Sequence, residues 1–212
     1  MKKIIVIIGL LVLVSCSSTR FVDSWKNPEV TSFKPEKVLV VGITDNLTAR
    51  KIFEEDLKKA FVQRNINAIE SNTVLDNTFT SSKKTEAEIN EMINEISKDG
   101  FDAVVITAIK GVDEKIGYDD GYYTIGYRWS RFGRYYYRYQ DIYYTPRYYD
   151  TYNVYHVETS IYNLNGAENK SLVWVGALDL VNPQTISSTV KDYVDRIIKQ
   201  LEKENLIVKL NY

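Results

Sequence analysis

Two side chains occur once each in the 212 residues, Cys16 and His156, and together they bound the nucleophilic chemistry open to this chain. Nucleophilic catalysis by a Ser/His/Asp or Cys/His set requires an imidazole within hydrogen-bond reach of the nucleophile. The one imidazole, His156, falls in a segment of alternating polarity, where a half-exposed structural ring is expected. There is no Gly-x-Ser-x-Gly elbow, phosphate loop, dinucleotide fingerprint or metal-spaced His/Cys group. The sequence therefore assigns no catalytic residue, no cofactor and no metal ligand.

Carboxylate chemistry needs less, because a glycosidase requires only two acids at a suitable separation, and 28 Asp and Glu are present. Asp119-Asp120, adjacent acids beside a cluster of tyrosines, are the candidates. Solvated turn residues are the plainer reading of that pair. Thr44-Asp45-Asn46 follows an apolar run, where open α/β sheets place their ligands; turn chemistry alone also explains those three.

The densest concentration of recognition chemistry lies at 118–155, where 14 of 38 residues are tyrosine. Trp129, Phe132 and Arg128, Arg131, Arg134, Arg138 and Arg147 interleave with them. Tyrosine supplies amphipathic contact area at low entropic cost, and arginine a rigid fork for carboxylate or phosphate. The candidate recognition residues are Arg128, Trp129, Arg134, Tyr135, Tyr136, Tyr137, Arg138, Tyr143 and Tyr144. The arginines fall on both parities, so the period-two apolar face of a transmembrane hairpin is absent. Envelope proteins, peptidoglycan glycan or lipid headgroups suit such a surface. A plainer alternative is a long hairpin whose tyrosines pack on one another and on arginine stems.

The elements that must position these groups read as a mixed α/β sheet of about five strands with three helices. Val38-Leu39-Val40-Val41-Gly42-Ile43 has the continuous apolar character of a strand buried on both faces. Residues 48–64 align Phe53, Leu57, Ala60 and Phe61 as a helical stripe, with Glu54, Glu55, Lys58 and Lys59 outside it. A short strand at 67–71 follows. Thr85 and Glu88 match a capping box, Ile89, Met92, Ile93 and Ile96 continue at helical spacing, and Gly100 stands where a left-handed cap would. Residues 102–109 give another buried strand. Two right-handed crossovers make these three strands parallel, with the first inside the sheet.

An antiparallel hairpin closes the domain. Its first strand, Tyr152–Asn163, puts Tyr155, Val157, Thr159 and Ile161 on one face and His156, Glu158 and Ser160 on the other. Asn165-Gly166 turns it, and Leu172 to Leu178 returns. Asn182-Pro183 then starts a helix with the cleanest period in the chain, through Ile186, Val190, Tyr193, Val194, Ile197, Ile198 and Leu201. One domain is expected over 37–205, with the Tyr/Arg-rich insert at 118–150.

The amino terminus has the parts of an export signal: Met1-Lys2-Lys3, an apolar run at 4–14, and the small Ser15. Eleven apolar residues are too few to span a bilayer, which takes about 20. Leu13-Val14-Ser15-Cys16 resembles the lipobox of bacterial lipoproteins. That resemblance implies cleavage after residue 15, lipidation of Cys16, and a membrane hold through that lipid. Residues 1–15 would be a cleaved signal peptide and 16–36 a lipidated tether carrying Phe21, Trp25, Pro28 and Pro35. Without Lys2 and Lys3, 25 Lys and Arg face 28 Asp and Glu, which is no nucleic-acid footprint. With its one cysteine acylated, the chain can form no disulfide.

Together, the lipobox, Trp25-x-x-Pro28, Lys37-Val38-Leu39-Val40-Val41-Gly42, Arg50-x-x-Phe53-Glu54, the tyrosine-rich middle and Leu172-Val173-Trp174 resemble a family of bacterial envelope lipoproteins with no assigned activity. The order of elements is also similar to small α/β domains of curli-secretion lipoproteins and of the Tol translocation protein. Element order is an associational pointer to function. Ser17, where inner-membrane lipoproteins often carry Asp, and the absence of acid in Ser17-Ser18-Thr19-Arg20 imply an outer-membrane protein facing the periplasm. The expectation is a lipid-anchored, non-enzymatic binding or assembly module, with a carboxylate-dependent cell-wall glycan hydrolase as the alternative.

Overall fold

The structure, a computed structural model, describes residues 18–75, 82–115, 152–167, 171–183 and 185–210. Among them are six strands: β1 (Thr19–Lys26), β2 (Lys37–Ile43), β3 (Asn67–Glu70), β4 (Ala103–Lys115), β5 (Tyr152–Asn163) and β6 (Leu172–Val181). Three α-helices accompany them: α1 (Leu47–Val62), α2 (Glu86–Lys98) and α3 (Ile186–Lys203). All six strands form one sheet in the order β1-β6-β5-β4-β2-β3. β2 pairs in parallel with both β3 and β4, and the remaining pairs are antiparallel. The expected architecture is present with one strand more.

That extra strand is β1, which lies within the stretch expected to be a tether. Its sequence lacks clean alternation because the pairing with β6 shifts between Phe21 and Asp23. Phe21 consequently packs with the core on one face of the sheet and Trp25 with the core on the other. Asn27 locks the strand's end: its backbone N–H donates to Val173 O (2.9 Å) and its side-chain amide to Leu172 O (2.8 Å).

β2 is buried on both faces, as its continuous apolar run requires. Val38 and Val40 enter the core under α1 and α3, while Leu39 and Val41 enter the core under α2. The caps follow from local chemistry. Asn46 Oδ1 accepts from Ala49 N (3.0 Å) at the start of α1. Thr85 and Glu88 close both halves of the capping box on α2. That helix stops at Gly100, whose φ of +85° favours glycine, and Phe101 N returns to Ile96 O. Thr185 caps α3, so this helix begins four residues beyond Asn182.

Two expectations about polar residues are corrected. Glu54, placed outside the α1 stripe, is fully buried, and His156, expected half-exposed, is 6% exposed. Glu158 and Ser160, on the same face of β5 as His156, are buried too. Each is sheltered by partners from distant parts of the chain, which periodicity within one segment cannot reveal.

Candidate functional site

An open-mouthed cavity of about 110 Å³ lies at the carboxyl end of β2 and against the middle of β4, between the amino-terminal turns of α1 and α3. This is the position that an α/β sheet offers a ligand, and Thr44 lies on its wall. Ile43, Phe53, Ile109, Val157, Leu180 and Val190 give it an almost wholly carbon lining. Gly42 lets α1 close down on β2 here: a Cβ would stand 3.1 Å from Phe53 Cδ1 and 3.4 Å from Arg50 Cγ. Thr44 Oγ1 accepts from Asn46 N (3.2 Å), so Thr44 and Asn46 serve the turn and the cap of α1.

Three hydroxyls line up beside the cavity. Tyr193 OH lies 2.7 Å from Thr159 Oγ1, which lies 2.6 Å from Thr107 Oγ1. Burial pushes the Tyr193 phenol well above its ordinary pKa, against the weaker opposing effect of its hydrogen bond with Thr159. At neutral pH this chain is an uncharged set of donors and acceptors. The Tyr193 ring also meets Phe53 edge-on, with centroids 6.1 Å apart.

Next to the cavity, α1 is pinned by a buried carboxylate. Glu54 Oε1 accepts from Gly42 N (2.9 Å), Arg50 Nε (3.0 Å) and Ser71 Oγ (2.6 Å). Arg50 Nη2 in turn donates to Ser71 Oγ (2.9 Å). The guanidinium is thus turned inward, and Arg50 contributes its aliphatic stem to the cavity wall. The Arg50-x-x-Phe53-Glu54 spacing carried this signal. What it could not supply was Ser71, 17 residues further on.

On the opposite face of the sheet, polar side chains from four strands meet. His156 Nδ1 is 2.7 Å from Asp179 Oδ1, and its Nε2 is 3.1 Å from Asp113 Oδ2. Arg20 Nη2 donates to the other oxygen of Asp179 (2.8 Å). Lys110 Nζ lies 3.3 Å from Glu158 Oε1. The single imidazole is thus held between two carboxylates. No group of three or more His, Cys, Asp or Glu suited to a metal occurs among the described residues.

Cys16, the lipobox and Asp119-Asp120 lie outside the described residues. So do Arg128, Trp129, Arg134, Tyr135, Tyr136, Tyr137, Arg138, Tyr143 and Tyr144. No described helix is long and apolar enough to cross a membrane.

No protein family and no curated protein matches the chain. Among solved structures it is similar to a PelC dodecamer from Paraburkholderia phytofirmans, at 10% identity and a TM-score of 0.44, over 86% of this chain and 96% of that one. It is also similar to lipoprotein GNA1162 from Neisseria meningitidis, at 11% identity and a TM-score of 0.40, over 80% of this chain and 99% of that one.

Proposed function

We propose that this protein is a lipid-anchored, periplasm-facing lipoprotein of the bacterial outer membrane, acting as a non-enzymatic binding or assembly module. The observation that carries the reading is the position of Leu13-Val14-Ser15-Cys16 directly before a strand of the domain: Cys16 precedes the start of β1 by three residues. A lipid there holds the domain close against the membrane surface with almost no intervening tether. Among the described residues, the buried titratable groups hold elements of the fold together. Glu54 and Arg50 pin α1, and His156 sits between Asp179 and Asp113. Recognition is assigned to the tyrosine- and arginine-rich tract at 118–150, whose composition fits an envelope protein or a glycan.

Labelled palmitate should enter the wild-type protein and be lost in Cys16→Ala, with the label recovered in the outer-membrane fraction. Incorporation that survives Cys16→Ala refutes the anchor. Release of muropeptides by purified protein, abolished in Asp119→Asn or Asp120→Asn, refutes the non-enzymatic reading. Crosslinking in intact cells from a photoreactive residue at Tyr136 should capture a protein or a glycan.

A further inference from the structure

The cavity at the carboxyl end of β2 extends to Leu180 near the end of β6, beside which β1 begins. Leu180, on the cavity wall, is the ladder partner of Thr19, and Val181 N donates to Ser18 O at 2.7 Å. Neighbouring strands stand about 4.8 Å apart. The two residues from Ser18 back to Cys16 span at most ~7 Å. Any lipid on Cys16 is therefore attached within easy reach of the cavity mouth, a distance that a long acyl chain covers.

The cavity has the chemistry to receive such a chain. Phe53, Ile109, Val157, Leu180 and Val190 offer carbon, and the nearby Arg50 guanidinium is already held by Glu54 and Ser71. Apolar cavities take apolar ligands, an enclosed one of ~150 Å³ binding benzene. At about 110 Å³ this one has room for the end of an alkyl chain rather than its whole length. We infer that it seats the end of an acyl chain carried by Cys16, docking the domain on its own anchor. This rests on the lipoprotein reading and adds an occupant for the cavity.

The test uses full-length protein in cells fed palmitate with a diazirine at the chain end, irradiated and then digested for mass spectrometry. The expected product joins the Cys16 peptide to a peptide containing Leu180 or Val190. Val190→Phe, which fills the cavity from the half-buried first turn of α3, should lower the yield of that product roughly four- to fifteen-fold. That is the change expected from excluding one or two methylenes at ~0.8 kcal/mol each. Ala49→Leu, filling from α1, is the second variant and should act in the same direction. Both are read at unchanged Cys16 labelling and thermal midpoint. Label on the Cys16 peptide with no link to the cavity overturns the inference and leaves the lipoprotein reading standing. Label on the cavity peptides from a lipid not joined to Cys16 overturns the assigned occupant. An unlabelled Cys16 peptide overturns the lipoprotein reading itself.

Discussion

The indole of Trp174 lies across Gly176, two residues on along the same strand, so that a Cβ at Gly176 would stand 2.6 Å from Trp174 Cζ2 and closer still to Cη2. The ring is fully buried in the core under α1 and α3, and its Nε1 donates to Glu204 Oε2 (3.0 Å) just beyond α3. Glu204 also accepts from Ser24 Oγ through its other carboxylate oxygen, and its backbone carbonyl accepts from Lys26 Nζ. One glycine therefore lets a single indole link β6, the end of α3 and the edge strand β1. Gly176→Ala should displace the ring and cost about 1–3 kcal/mol through overpacking. Urea denaturation gives the cost, and loss of the near-ultraviolet indole signal shows its cause. Trp174→Leu in the Gly176→Ala background should cost less than the two single changes summed, because it removes the clash.

Glu54 offers a sharper case of a buried polar group. Glu54→Ala leaves Arg50 in an interior site without its carboxylate and leaves Gly42 N without its acceptor. Truncating one partner of a buried pair costs about 3–5 kcal/mol. Glu54→Gln keeps the shape and an acceptor oxygen, and should cost less. Equal denaturation midpoints for wild type and Glu54→Ala would show that α1 is not held to β2 through this carboxylate.

Stability should fall at alkaline pH through Tyr193. Its folded pKa is raised by burial above the value of ~10 for an unfolded tyrosine. Below ~pH 10 both states keep the proton and the contribution is complete. As pH rises past ~10 the unfolded chain loses its proton first, and stability drops by up to ~1.4 kcal/mol per pH unit toward the folded pKa. Tyr193→Phe should cost about 0.5–1.5 kcal/mol at pH 7 for the hydrogen bond with Thr159. It should also flatten this alkaline slope, read from denaturation midpoints at pH 7 and between pH 10 and 11.

The α3 stripe separates what was legible in the sequence from what was not. Ile197 and Leu201 are fully buried, as the helical period predicted, whereas Val190, in the first turn, is half-buried beside the cavity. Ile197→Ala and Leu201→Ala should each cost about 2–5 kcal/mol, and Val190→Ala clearly less. Denaturant midpoints give that ranking. Local signals of this kind also located the caps at Thr85 and Gly100 and the doubly buried β2. β1 was missed because its pairing shift between Phe21 and Asp23 breaks the alternation by which a strand is read, and because Asn27 anchors it through Val173 and Leu172, far along the chain. The burial of His156 was missed for a similar reason. Polar residues alternating with apolar ones suggest a wet face, and only the cross-strand partners Asp179 and Asp113 show otherwise.

The β4–β5 ladder bears on where recognition resides. It runs antiparallel, with one register shift between Ile109 and Gly111, out to Lys115 paired with Tyr152, where the described residues stop. Between them the chain places Arg134, Tyr135, Tyr136, Tyr137 and Arg138, aromatic and arginine residues that a simple connection would not require. Replacing all five with serine should abolish capture of the envelope partner while leaving lipidation at Cys16 intact. The thermal midpoint should move by no more than ~3 °C, about 1 kcal/mol for a domain of this size, as expected of a recognition surface outside the two cores that α1, α2 and α3 cover. A large fall in thermal midpoint with capture unchanged would make the tract part of the domain's structure. In that case the binding surface would have to be sought on the α/β body.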